Sequence, residues 1–500
     1  MSSSNVNKKK TSSNTKKTTK RTTTSYKPKH GSIKNTTTRK TPIKKSTNTI
    51  KKDKVEKIQD YDELYVPFTS QKTTPIYNQV PTTKPKQVNI VKQDQTKHKK
   101  IKFKNGIAMF SFFLLIVLLC FVVYCAYKQL FRGNNNKGTN EETNIVEQNI
   151  VEEPVKEDVI EESDVSLIMV GDCLIHGSIY YDAQENGTYN FYKLLDKIKP
   201  IISSYDLAYY NQESILGGTA LGLQTYPRFN SPQEVGDAML DAGFNIVTFA
   251  NNHSLDMGEK GILASQEYWD KKEKQGIMTA GSYTSFEDRE KEIIMEKNGI
   301  TYTILSYTTT LNGLSIPSGK EYLVNYYNAE QVKKDIERLR DKVDLLMVAM
   351  HWGEEYTHTP TESQKEIAQY LASLGVDIII GHHPHVIQPI DFIGNTMVIY
   401  SLGNFIASQK GEVAKHTGLM ASVRIHKKTV NGVSSITLEE PTAQLEYVYS
   451  VPVSSNSRKN YKLYSYEDLN DSLLSGYKDY YNKFMGIVTK YSDKILYKTL

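Results

Sequence analysis

The chain has 500 residues, with 62 Lys+Arg against 56 Asp+Glu, a net charge of +6, 39% apolar residues and three cysteines. The charge is split: residues 1–104 hold 27 Lys+Arg and 6 Asp+Glu, while residues 105–500 hold 35 and 50, so an arm of +21 precedes a remainder of −15. Cys120 and Cys125 lie in one apolar run and Cys173 stands alone downstream, which excludes an internal disulfide scaffold.

Residues 1–105 read as a basic, disordered arm, because Thr, Ser, Asn and Lys dominate and too little apolar area is available to offset chain entropy. Stretches such as Lys8-Lys9-Lys10 and Lys97-His98-Lys99-Lys100 lack interleaved aromatics and any folded motif, which disfavours nucleic acid as a partner. Residues 106–128 read as one transmembrane helix. Ile107 to Tyr127 carries no charge, and at about 1.5 Å per residue it is long enough to cross a hydrocarbon core of about 30 Å. Lys97, Lys99, Lys100, Lys102 and Lys104 flank its N-terminal side against Lys128 and Arg132 behind it. The positive-inside rule then predicts a single-pass protein of the cell membrane, with a cytoplasmic arm and the remainder outside. Residues 129–163 read as an acidic linker, extended by self-repulsion.

From 164 onward short apolar runs alternate with helix-like segments: Val165–Val170, Tyr205–Tyr210, Phe244–Ala250, Tyr302–Tyr307, Asp344–Met350, Val376–Ile380 and Met397–Tyr400. Their length and β-branched content predict buried strands, and the alternation predicts an α/β layered core. Ser231-Pro232-Gln233-Glu234 and Thr361-Glu362-Ser363-Gln364 read as capping boxes opening helices, with Gly243 and Gly375 closing them. The strand ends are followed by Gly171-Asp172, Asn211-Gln212-Glu213, Asn251-Asn252-His253, His351-Trp352-Gly353, Gly381-His382-His383-Pro384-His385 and Ser401-Leu402-Gly403-Asn404. Ligands of α/β sheets gather outside the carboxyl ends of the strands, so one site is expected to collect these side chains. Seven of the eleven histidines (His176, His253, His351, His358, His382, His383 and His385) fall at or just after strand ends. Imidazole, carboxylate and amide ligands without thiolate suit one or two divalent ions such as Mn, Zn, Fe or Mg. Three histidines within His382 to His385 are not expected all to point inward, so one is assigned to solvent or to a supporting position. No phosphate loop, dinucleotide loop, nucleophile elbow or paired-cysteine zinc signature is present.

In this order the strand-end motifs resemble the CapA family of poly-γ-glutamate capsule biosynthesis proteins, over residues 164–410. The resemblance implies a domain related to calcineurin-like metallophosphoesterases: a β-sandwich flanked by helices with a metal centre at the strand ends. It further implies that Asp172 is the first-motif ligand and that Glu213 takes the place of a bridging Asp. Asn252, His351 and His383 are then expected around a second ion, with His385 returning to the first. His253 matches a histidine that protonates a leaving oxygen, with Asp256 orienting its ring. Supporting positions are His176, Glu355, His382 and Asn404. The Asp-x-His of the calcineurin-like phosphoesterases is absent, because Cys173 and Leu174 follow Asp172, and His176 is the candidate substitute.

Residues 411–500 read as strands (Gly418–Ile425, Ser435–Leu438, Leu445–Ser450) and a Tyr-rich amphipathic helix packed on the domain. The expected function is support of synthesis, export or anchoring of an anionic capsule polymer, with membrane-bound synthase subunits as partners. The alternative is a two-metal phosphoesterase acting on an extracellular phosphomonoester or phosphodiester, and a scaffold without metal is the third possibility. Enzymatic activity is left open by the residues alone.

Overall fold

Strand β9 (Leu345–His351) is buried along its whole length, and this two-sided burial explains its unbroken apolar sequence. Leu345, Met347 and Ala349 face one core while Leu346, Val348 and Met350 face another. The structure, a computed structural model, describes residues 158–454 and 457–500. The expected arm, the span at 106–128 and most of the acidic linker lie outside the described residues. Among the described residues, no helix is long and apolar enough to cross a membrane.

The other strands, in chain order, are β1 (Ile160–Cys173), β2 (Gln184–Glu185), β3 (Thr188–Tyr189), β4 (Leu207–Gln212), β5 (Ile246–Thr248), β6 (Met278–Ala280), β7 (Met295–Lys297) and β8 (Ile300–Thr308). After β9 come β10 (Ile378–His382), β11 (Ile390–Ile393), β12 (Thr396–Ile399), β13 (Asn404–Ile406), β14 (Thr417–Val430), β15 (Val433–Ser454) and β16 (Ser457–Ser465). The helices of seven residues or more are α1 (Gly177–Ala183), α2 (Glu234–Asp241), α3 (Gly258–Glu273), α4 (Ala329–Leu339), α5 (Glu362–Ser373) and α6 (Tyr477–Val488).

One sheet runs β16-β15-β14-β1-β4-β5-β6, with β13 pairing β1 in parallel, and the other runs β11-β12-β10-β9-β8-β7. β1, β4, β5 and β6 are parallel neighbours, as are β8, β9, β10 and β12. Leu167 and Met169 of β1 and Tyr209 of β4 share a core with Ile304 of β8, Met347 of β9 and Ile380 of β10, so the two sheets pack face to face. On the outer face of the first sheet, Ile168, Val170 and Tyr210 pack against Val235 and Met239 of α2 and Trp269 of α3. On the outer face of the second, Val348 and Met350 pack against Ile336 of α4 and Leu371 of α5. Each fully buried Leu, Ile or Val of these layers contributes about 1.5–3 kcal/mol relative to exposure. The chain is thus a mixed α/β protein in which two sheets aim carboxyl ends of parallel strands at one region.

Three details differ from the sequence reading. β1 begins at Ile160, before the apolar run, because its exposed acidic residues extend the antiparallel ladder with β14 (Glu162 opposite Lys428). The tail strands expected at 435–438 and 445–450 are one strand, β15, whose ladder shifts register near Glu440, at φ 51°, and Pro441, which has no amide hydrogen to donate. Ser231 opens no capping box: its hydroxyl donates to Ser214 Oγ, and α2 starts at Glu234 without a side-chain cap bond. The box at Thr361 and Gln364 is present at the start of α5. Helix α6 buries Tyr481, Phe484, Met485 and Val488 against the shared core.

Candidate metal centre

Asp172 is the next-to-last residue of β1, where the strand runs beside the loop before β13. A Cβ on Gly171 would lie 1.9 Å from Gly403 O, so only glycine permits the approach, and Asp172 N donates to that same carbonyl at 2.9 Å. Asp172 Oδ1 then accepts from Asn211 Nδ2 at 2.9 Å and faces His382 Nδ1 at 2.9 Å. Its Oδ2 accepts from His383 N at 3.2 Å and lies 3.6 Å from His385 Nδ1. Burial by itself would raise the Asp172 carboxyl, but the charge and hydrogen bond of His382, with His351 and His385, hold it below the ordinary carboxylate range.

Glu213 follows β4 and is fully buried, yet neither carboxylate oxygen has a hydrogen-bond partner among the described residues. Its Oε1 stands 3.7 Å from His351 Nε2 and 3.6 Å from His385 Nε2. Burial pushes this carboxyl well above its usual range, and the charge of Asp172 adds to the effect. His351, the last residue of β9, brings Nε2 to 2.9 Å from Asn252 Oδ1 and 3.2 Å from His383 Nδ1. Burial depresses His351 far below the ordinary imidazole value and His383 to about 4, with the neighbouring imidazoles reinforcing both shifts.

The structure therefore brings Asp172, Glu213, Asn252, His351, His383 and His385 together in one chain of close contacts. One ligand atom each from Asp172, Glu213 and His385 lies within 4.8 Å of the others. The residues fit a divalent ion on their own chemistry. Two carboxylate oxygens, an amide oxygen and imidazole nitrogens are buried against one another with too few protons to satisfy them, and a cation relieves that deficit. His383 and His385 hold left-handed backbone, at φ 94° and 56°, a strained conformation for non-glycine residues that turns successive imidazoles inward.

All three histidines from His382 to His385 are buried, so none is turned to solvent. His382 occupies the supporting position: both ring nitrogens are engaged, with Asp172 and with Tyr209 OH at 2.8 Å. Asn404 Oδ1 lies 2.9 Å from His385 Nδ1 and supports that ring. His176 stands apart from the ligand atoms. Its Nδ1 lies 3.0 Å from Leu174 O and its ring meets the edge of Phe229 on the cleft wall. Burial lowers His176 to about 3. Glu355 is exposed in the cleft lining.

The cleft in front of the cluster has a volume of about 600 Å³ and is lined by His253, Asp256, His385, Tyr356, Arg228 and Lys415, among others. Asp256 Oδ2 accepts from Phe229 N at 2.6 Å and pairs with His253 Nδ1 at 2.7 Å, which leaves His253 Nε2 as the nitrogen available to the cleft. Tyr209 carries no site expectation from the sequence, and Asn211 is expected there only as one of the strand-end side chains, without a role. Strand alternation carries a signal for Asn211, two residues before Glu213. Tyr356 and Lys415 carry no local signal, since only the fold brings residue 415 to the loop after β9.

The fold and its buried acid, amide and imidazole cluster define an α/β protein with a candidate metal centre at the carboxyl ends of strands from both sheets. Residues 166–409 match the family described as bacterial capsule synthesis protein PGA_cap, and this part of the chain belongs to that family. The PGA biosynthesis protein CapA of Bacillus subtilis (strain 168) is 32% identical over 177 residues, 34% of this chain and 44% of the relative. The capsule biosynthesis protein CapA of Bacillus anthracis is 30% identical over 195 residues, 38% of this chain and 47% of the relative. A probable polyglutamine synthesis accessory protein of Mycobacterium tuberculosis (strain CDC 1551 / Oshkosh) is 25% identical over 92 residues, 18% of this chain and 24% of the relative. The chain spans less than half the length of these relatives in each match.

Proposed function

We propose that the protein is a membrane-anchored, extracytoplasmic CapA-like protein that supports synthesis, export or anchoring of an anionic polymer, poly-γ-glutamate or a relative, through a divalent-metal site. Asp172, Glu213, Asn252, His351, His383 and His385 hold the metal, with His382 and Asn404 orienting the ligands. The observation that carries this is Glu213: a fully buried carboxyl with neither oxygen hydrogen-bonded among the described residues, facing His351 and His385, the second of which also lines the wide cleft. When bound, the metal supplies positive charge to an anionic ligand in a domain that is otherwise acidic overall. The family and the names of the Bacillus relatives support the polymer, and the uncharged run from Ile107 to Tyr127 supports the anchor. Membrane-bound synthase subunits are the partners this role requires. The test is equilibrium binding of γ-glutamyl polymer to the full chain, with and without added Mn or Zn. Metal-dependent binding without turnover is the expected result; no binding with metal present overturns the reading.

A second reading, a phosphoesterase of phosphomonoesters or phosphodiesters, is favoured by one observation. Asp256 fixes the Nδ1 proton of His253 and leaves Nε2 facing the cleft, the arrangement of a group that hands a proton to a leaving oxygen. Turnover of a nitrophenyl phosphodiester by the metal-loaded chain, lost in His253→Ala, distinguishes this from polymer binding alone.

A further inference from the structure

Outward from the candidate metal centre, the cleft continues through a file of three side chains. The Tyr356 ring stacks on His385, with centroids 6.0 Å apart and planes 29° from parallel. Lys415 Nζ lies 3.7 Å from the centroid of the same Tyr356 ring. Among the described residues no carboxylate forms an ion pair with Lys415; of the two acids lining the cleft, Asp256 is engaged by His253 and Phe229 N, and Glu355 is exposed to solvent. Tyr356 sits at φ 63°, a left-handed conformation unfavourable for an aromatic residue, and its N–H is tied to Pro384 O at 2.7 Å. Backbone strain at this position has a use if it sets the ring against His385 and under the ammonium group. A cation held on an aromatic face, with no carboxylate partner among the described residues and beside the candidate metal centre, has the chemistry of an anion-binding position.

We propose that Lys415, positioned by Tyr356, takes the acidic group next along a ligand whose first acidic group is held at the metal centre, so that the cleft selects ligands with several acidic groups over those with one. This rests on the metal-dependent polymer reading and names the residue that gives it specificity. Arg228, on the same cleft lining, adds positive potential.

The probes are tetra-γ-glutamate and the same tetramer with all but one carboxylate amidated, titrated against the Mn-loaded full chain. Wild type is expected to prefer the unamidated tetramer by about tenfold or more, the scale of one charged hydrogen bond. Lys415→Ala is expected to lose about tenfold for the unamidated tetramer while binding the mono-acid and Mn as before. Lys415→Arg and Tyr356→Phe are expected to keep the preference, and Tyr356→Leu to lose it with Lys415 still present. An unchanged preference in Lys415→Ala overturns the proposal. So does equal weakening of both tetramers in Tyr356→Leu, which marks a structural role only. Wild-type binding of neither tetramer, with Mn bound, instead overturns the polymer reading and the proposal with it.

Discussion

Glu213 Oε1 stands 3.6 Å from His385 Nε2, and the glutamate has no hydrogen-bond partner for either oxygen among the described residues. A buried carboxyl left in that state costs free energy whenever it ionises without a cation. The pairing also joins the two halves of the protein, since Glu213 follows β4 of one sheet and His385 follows β10 of the other.

Glu213→Gln separates the cost from the use. Burial raises the Glu213 carboxyl in the metal-free chain, so the folded state loses stability as pH rises above the ordinary value of 4.5. The metal-free variant is expected to melt like wild type near pH 4 and above it near pH 8, while lacking the increase in Tm expected of wild type on adding Mn or Zn. Thermal melts with and without metal, together with elemental analysis of His383→Ala, check this. A full metal complement in both variants would overturn the ligand assignment.

Glu446 offers a control away from the ligands. It is fully buried on β15 with neither carboxylate oxygen hydrogen-bonded among the described residues, and burial pushes it well above the ordinary 4.5. A raised carboxyl contributes stability that is complete at pH below 4.5 and is lost as pH rises toward the folded-state value. Glu446→Gln is expected to match wild type near pH 4 and to gain about 1 kcal/mol or more at pH 8, measured by urea unfolding, with metal content unchanged. A pH-independent difference would show that the carboxyl is not the cause.

Asp256→Asn keeps the size of the residue that orients His253 but removes its charge. If the chain turns over phosphodiesters, kcat is expected to fall by about a hundredfold or more, in line with loss of a general acid's orientation, while Mn binding persists. Stopped assays at several pH values check it, and an undiminished kcat would sever His253 from the chemistry.

Two glycines should respond in opposite directions. Gly171→Ala places a Cβ 1.9 Å from Gly403 O and is expected to cost about 3 kcal/mol and to weaken Mn binding if Asp172 is a ligand as proposed. Gly486, inside α6, has nothing within 4 Å of an added Cβ, and Gly486→Ala is expected to stabilise by about 0.5–1 kcal/mol. Denaturant midpoints of the two variants and wild type decide both.

Much of the fold was legible because buried strands announce themselves: Leu345 to Met350 is apolar throughout since both of its faces are covered. The carriers of the site were legible because parallel strands end at one edge, and each apolar run closes on Asp, Glu, Asn or His. The single long strand β15 was not, because Pro441 and the register shift beside it resemble a break when only the sequence is read. Ser231 misled for a related reason: its hydroxyl found Ser214 instead of an amide of its own helix.

By itself, then, the sequence determined the layered α/β class, the family and the set of residues delivered to one edge of the strands. It also divided the charge between a basic arm and an acidic remainder. Only the tertiary structure decided which histidine does what. His383 and His385 turn inward through left-handed backbone, and His382 is consumed by Asp172 and Tyr209. It also carried Lys415 to Tyr356 across 59 positions of chain. The physical reason is that side-chain direction past the end of a strand follows φ and ψ and the packing of the facing sheet, neither of which is written in local pattern.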